Sequence, residues 1–279
     1  MVPIIFRLIK AKVLFSLFML SALGHFHSYS ITREQMKIGL PERQVAILMY
    51  HHINDFYAAK GNISTKLFIQ HLNMLQKEGY HVISVDSYAK FLEGKGDIPR
   101  KSAIITFDDG YESFYKYAYP ELSKRHLPAT DFIIVGLVGK TNGNLHYLTW
   151  AQMKKMQQHE MTFYPHAYMS HHYTRIYPYS RLKPCITGRA WLPDKKRFET
   201  ESEYENRVAD DLLKAKEIME SELGRPMDVI AWPYRQDSPE SFKIASLLGY
   251  KFFYYVDNRF FMVYILTFLY MKICLIIHW

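Results

Sequence analysis

The chain has 279 residues, enough for one large domain or two small ones. Its 49% apolar and 22% charged residues are ordinary for a globular protein, and a net charge of +8 suits anionic partners such as cell-wall polymers or membranes, though scattered surface lysines explain it as simply. No arginine-rich helix or zinc-finger cysteine spacing is present, which argues against nucleic acid. Two cysteines, Cys185 and Cys274, are too few for a thiolate metal site or a disulfide framework.

Arg7, Lys10 and Lys12 precede the apolar run 13–23, followed by small residues ending at Gly24. This reads as a secretory signal over 1–24 with cleavage after Gly24, or as an uncleaved anchor. The expected location is therefore secreted or envelope-associated. Residues 25–43 are polar and aperiodic, and read as a linker. The continuous apolar run 45–50 predicts a strand ending at His51-His52. Ser64 caps a predicted helix over 66–78, stopped by Gly79. A strand over 81–85 and a short helix over 87–92 follow. The run 103–107 predicts a third strand, and 111–125 one helix.

Further strands are expected at 129–135, 161–164, 227–232 and 250–256. Helices are expected from the Thr149 cap through Gln157, over 201–223 with Gly224 as stop, and over 239–248. Residues 173–200, rich in Tyr, Arg, Lys and Pro, read as one long loop. Strands alternating with helices predict an α/β architecture with about seven parallel strands, as a distorted or incomplete (β/α) barrel or an open sheet. The predicted domain covers 44–257. The segment 258–279 is almost wholly apolar and admits three readings: a membrane span, late core elements, or an unnatural tail. The abrupt rise in apolar content after Arg259 favours the last.

Four polar clusters sit where predicted strands end. Asp108-Asp109-Gly110 places two carboxylates beyond the third strand, where they are costly to desolvate without a cation. Asp-Asp-Gly is also ordinary turn chemistry. His166 and His171 are splayed on a helix and face opposite sides of a strand, so they meet at one ion only in a loop. With one carboxylate they would make the three-ligand set of a catalytic zinc site, with His172 as an alternative in register. Trp232-Pro233-Tyr234-Arg235 ends another strand, where proline fixes a turn that could aim a backbone N–H. Tyr50-His51-His52 offers a histidine as general acid. In parallel α/β barrels, C-terminal strand ends share the face that holds the active site.

At these residues the chain resembles the polysaccharide deacetylases of carbohydrate esterase family 4. Thr106-Phe107-Asp108-Asp109-Gly110 resembles the first family motif and His166 to His171 its histidine motif. Trp232-Pro233-Tyr234 resembles the Pro-Tyr motif. Leu48-Met49-Tyr50-His51-His52 resembles the opening of the circularly permuted poly-N-acetylglucosamine deacetylase subgroup. The resemblance runs from Val45 to Val256. It implies a distorted (β/α) barrel and a divalent metal, commonly Zn²⁺, held by Asp109, His166 and His171. It further implies Asp108 as general base, His51 as proton donor to the leaving amine, and the Tyr234 backbone N–H as oxyanion donor. Two positions depart from the pattern: Ala167 stands where Ser or Thr is usual, and Arg235 where glycine is usual.

The expected function is an exported, metal-dependent hydrolase of amide bonds, removing N-acetyl groups from an N-acetylglucosamine-containing polymer. An O-deacetylase acting on another glycan is the nearest rival. A catalytically inactive carbohydrate-binding protein on the same fold and a membrane-tethered structural protein are the alternatives from other classes.

Overall fold

The computed structural model describes residues 44–56, 61–178, 181–256, 260–265 and 274–275. The expected signal segment and linker lie outside the described residues. All that is described falls in one unit, Glu42–Trp279. Gln44–Tyr50 forms β1, His81–Val82 β2, Lys101–Asp109 β3, Ala129–Ile133 β4 and Met161–Pro165 β5. All are parallel within one sheet. β3 is its centre. β1 runs along one edge from Gln44↔Lys101 to Tyr50↔Phe107. On the other edge β2 meets Ser102 and Ala103, and β4 meets Thr106 to Asp109. Because the strands are parallel, the residues after Tyr50, Asp109, Ile133 and Pro165 emerge at one end.

β3 is buried from Ser102 to Asp109, as expected of a parallel strand covered on both faces. Phe107 is fully buried, with ring contacts to Tyr50 at 5.2 Å, Phe68 at 5.8 Å and Phe114 at 4.6 Å. Burying each such ring contributes on the order of 2–3 kcal/mol. This aromatic packing sits directly beneath the two aspartates and fixes the strand that carries them.

Helix α1, Thr65–Lys77, starts at the Ser64 cap and buries Phe68, Leu72 and Leu75. Helix α2 is Val85–Leu92, capped by Ser84, so the chain turns helical two residues earlier than its sequence suggests. The helix expected over 111–125 is one continuous helical run over 112–124, whose middle widens into a π-helical turn, Phe114–Ala118, before α3, Tyr119–Lys124. Pro120 supplies the reason. It has no N–H to donate and its ring crowds the preceding turn, so the turn widens. α4, Trp150–Gln157, and α5, Glu201–Leu223, both open on capping boxes, Thr149 with Gln152 and Thr200 with Glu203. α5 ends at Gly224 in the left-handed conformation.

The expected long loop over 173–200 is ordered into two antiparallel hairpins. β6, Tyr173–Ile176, pairs with β7, Arg181–Pro184, and β8, Trp191–Leu192, pairs with β9, Arg197–Phe198. The strands are two to four residues long and mix charged with aromatic side chains, so no alternation marks them. Arg207 on α5 pins this segment. It donates to Glu199 at 2.7 and 2.9 Å and to the carbonyls of Cys185 and Gly188, each at 3.1 Å.

A second sheet holds β10, Val229–Ala231, parallel to β11, Phe252–Val256, with α6, Pro239–Leu247, between them in sequence. Antiparallel β12, Phe260–Ile265, and β13, Cys274–Leu275, extend it. Part of the apolar tail is thus built into a sheet, and the rest lies outside the described residues. Among the described residues no ladder of hydrogen bonds joins β5 to β10, so the expected barrel is represented by two sheets. No helix there is long and apolar enough to cross a membrane. Val208 and Leu212 of α5 pack with Ala167, Ile230, Trp232 and Phe253 in a second core cluster that backs the histidine segment.

Candidate metal centre

Both aspartates lie in the last two residues of β3 rather than beyond it. Strict alternation would send them to opposite faces. Asp109 escapes that rule through a φ of 78°, and Gly110 follows at 76°. The left-handed turn is costly for a residue with a Cβ and is held by the packed sheet around it.

His166 follows β5 directly. Its backbone N–H donates to the Ile133 carbonyl at 2.7 Å. Ala167 then takes a φ of 72°, which bends the segment out of the strand. The bend lets two histidines five apart face one point. His166 Nε2 lies 3.9 Å and His171 Nε2 3.3 Å from Asp109 Oδ1, and the two rings are 5.0 Å apart. One ligand atom from each of the three residues falls within 4.8 Å of the others. His172, the alternative in register, is exposed and lies 3.2 Å from the Met169 carbonyl and 3.8 Å from Cys185 Sγ.

These residues fit a divalent cation. His166 Nδ1 sits 2.9 Å from the Ala231 carbonyl, so it carries the proton and leaves Nε2 with a free lone pair. Burial, with His171 beside it, pulls His166 down to about 3, so the imidazole is neutral. Burial lowers His171 as well. Asp109 Oδ1 is buried and has no hydrogen-bond partner among the described residues. A carboxylate oxygen without a partner beside two neutral imidazoles is the donor set that zinc-like ions take.

Around this trio stand the other expected residues. His51 Nε2 is 4.0 Å from Asp108 Oδ2. His52 is turned away, with Nδ1 2.9 Å from Ser113 Oγ and its ring against Tyr111, which separates the two adjacent histidines. Burial pushes Asp108 up to about 7, the His51 and Arg235 charges opposing the rise and that of Asp109 adding to it. Tyr234 has φ 54° and ψ 18°, and Arg235 φ 64°. Two consecutive non-glycine residues in that region store strain at the edge of the site. The Tyr234 ring lies 4.3 Å from that of His171 and 4.4 Å from that of Tyr173, and its hydroxyl donates to the His171 carbonyl at 3.1 Å.

Three neighbours escape a reading of the sequence. Asp131 on β4 is fully buried, and burial with the charges of Asp108 and Asp109 raises it well above its ordinary value. Its only signal was a carboxylate inside an apolar strand. Tyr111 directs its hydroxyl to Asp109, and burial with that charge raises it above the ordinary phenol value. Asp211 on α5 accepts from the N–H groups of Tyr168 and Met169 at 2.8 and 2.9 Å.

The histidine segment is also fixed from the β4 side. Val135 and Gly136 donate to the carbonyls of Ala167 and Tyr168 at 3.1 and 2.8 Å. A Cβ on Gly136 would come within 2.5 Å of Met169 Sδ and 2.8 Å of the Tyr168 carbonyl oxygen. Gly136→Ala is therefore expected to displace this segment and cost about 1–3 kcal/mol. Urea unfolding measures that cost, and an unchanged midpoint would show that the contact yields freely.

Residues 95–253 match the family model described as polysaccharide deacetylase, and the chain belongs to that family. It is 24% identical over 232 residues to poly-beta-1,6-N-acetyl-D-glucosamine N-deacetylase of Escherichia coli strain K12, covering 78% of this chain and 34% of the relative. It is 28% identical over 170 residues to the Staphylococcus epidermidis protein of the same name, covering 55% of this chain and 58% of that one. The chain spans about a third of the length of the first curated relatives it matches. Among solved structures, a de-N-acetylase from Aggregatibacter actinomycetemcomitans superposes with a TM-score of 0.72 at 24% identity, covering 83% of this chain and 94% of that one. IcaB from Ammonifex degensii gives 0.62 at 24% identity, covering 76% and 83%. At these identities the structural likeness shows a shared α/β fold.

Proposed function

We propose that the chain is an exported, metal-dependent hydrolase that removes N-acetyl groups from an N-acetylglucosamine-containing polysaccharide. The observation that carries this reading is the convergence of Asp109, His166 and His171 within 4.8 Å, with a second carboxylate and a histidine alongside. Relatives named as poly-N-acetylglucosamine N-deacetylases supply the substrate class. Export rests on the basic and apolar pattern of residues 1–24. The two sheets are read as the walls of a distorted barrel whose strand ends hold the site.

In this reading Asp109 and the Nε2 atoms of His166 and His171 hold the cation, Zn²⁺ being the natural choice for two imidazoles and a carboxylate. When bound, such an ion polarises the acetyl carbonyl and lowers the pKa of water. Asp108 takes the proton from the attacking water as the C–O bond forms. Its burial disfavours charge, which makes it a stronger base than a solvated aspartate. His51, 4.0 Å from Asp108, gives a proton to the amine nitrogen as the C–N bond breaks. The backbone N–H of Tyr234 would donate to the negative charge developing on the acetyl oxygen, a contribution on the order of 3 kcal/mol. The products are acetate and a glucosamine unit.

Purified protein supplied with Zn²⁺ is expected to release acetate from N-acetylglucosamine oligomers, with one free amine per acetate. Acetate without new amine, released from an O-acetylated glycan instead, would favour the O-deacetylase reading. No acetate from either, with glycan still bound, would favour the inactive binding protein.

A further inference from the structure

We propose that Asp211 is a positioning residue for the metal centre, setting the span between its two histidines by gripping the chain that joins them. The inference rests on reading Asp109, His166 and His171 as metal ligands. Asp211 is 40 positions or more from the groups it holds, on a different element.

The grip is two-pronged. Tyr168 N–H donates to Oδ2 at 2.8 Å and Met169 N–H to Oδ1 at 2.9 Å. Each carboxylate oxygen takes one of two successive backbone donors, directly after Ala167 in its left-handed conformation. Successive N–H groups next to such a residue form a concave anion site, here filled by a side chain of the protein itself. Charge-assisted bonds of this kind are about twice as strong as neutral ones.

The mounting is rigid. Asp211 sits between Val208 and Leu212 on a 23-residue helix, and both of those residues are fully buried in the core that also holds Ala167. Three carbonyls of the segment are met from other sides. Val135 and Gly136 hold the carbonyls of Ala167 and Tyr168, and Tyr234 holds that of His171. Asp211 is what binds the segment's own donors to the helix. Without it, Tyr168 and Met169 lose their acceptors and the distance from His166 to His171 is no longer fixed from the α5 side. Groups that hydrogen-bond the ligands themselves change metal affinity by about 10- to 100-fold when removed; Asp211 acts one step further out, through the chain between them, so a loss of about 10-fold is expected.

The test is cobalt binding, since Co²⁺ reports both affinity and geometry through its visible spectrum. Asp211→Asn keeps the shape but turns one acceptor into a donor facing a donor. It is expected to weaken Co²⁺ binding, measured against a chelator, by about 10-fold or more and to alter the spectrum at saturation. Asp211→Glu, which keeps both acceptors, is expected to restore affinity to within about threefold of wild type. Thr200→Ala removes the cap of the same helix without touching the segment. It is expected to lower the melting temperature of the metal-free protein while keeping wild-type affinity and spectrum. If Asp211→Asn does not fold, Asp211→Ser, which keeps one acceptor, is measured with the same expected loss. Wild-type affinity and spectrum in the Asn or Ser variant, or an equal loss in Thr200→Ala, would overturn the proposal. Wild-type protein that binds no Co²⁺ would overturn the metal reading itself, a result distinct from either.

Discussion

Asp109→Asn is expected to do two opposite things: to weaken divalent metal binding by more than about 100-fold and to make the metal-free protein more stable. The first follows from its place between the two imidazoles, 3.9 and 3.3 Å from their Nε2 atoms. Loss of a direct ligand should exceed the loss seen for an outer partner. The second follows from its surroundings. Asp109 is buried, its Oδ1 has no hydrogen-bond partner among the described residues, and Asp108 is its immediate neighbour. The histidines beside it are neutral, since burial lowers both. A buried carboxylate set beside a second one gains by losing its charge, so a neutral amide of the same shape, which still accepts from the Tyr111 hydroxyl, should raise metal-free stability by about 1–3 kcal/mol. Paired melts with and without Zn²⁺ measure both effects. Unchanged metal affinity would remove Asp109 from the ligand set. A less stable metal-free variant would show that its charge is compensated.

Asp108→Asn is expected to separate binding from turnover. The side chain lies 4.0 Å from His51 Nε2 and outside the trio of ligand atoms. Metal affinity should stay within a few-fold, while acetate release falls by about 10²–10⁴-fold, the range for loss of a general base. Chelator competition and acetate assays on one preparation give the comparison. Equal loss of metal and activity would make Asp108 a ligand, and retained activity would end its role as base.

The convergence of Asp109 and His166 was legible in the sequence because each stands at the end of an apolar run, and parallel strands bring such ends together; His171 reaches them through the bend that follows. The need for an irregular segment between His166 and His171 was legible too, since neither helix nor strand lets residues five apart converge. What was not legible was how the irregularity is made. Ala167 adopts a left-handed backbone that no local preference for alanine dictates, and Asp109 one that aspartate tolerates but does not require. Which of His51 and His52 turns toward Asp108 depends on Ser113, 61 positions from His52, which engages the latter.

Asp211 was invisible for the same reason. On the helical pattern of 201–223 it is one acidic residue among several, and only the folded chain shows which donors it meets. The hairpins within 173–200 are too short for alternation to register, and the helical pattern around Pro120 masks the widened turn at 114–118. Local propensity and pattern located the parallel strands and the Ser64 and Thr149 caps. Contacts between residues distant in sequence decided the rest.

The most direct test of the central claim is metal-edge X-ray absorption on zinc-loaded protein. The expected first shell holds two imidazole nitrogens at about 2.0–2.1 Å with their outer-ring scattering, plus oxygen ligands, and His171→Ala is expected to remove one imidazole. A shell built from oxygen alone, or one unaltered in the His171 variant, would contradict the account.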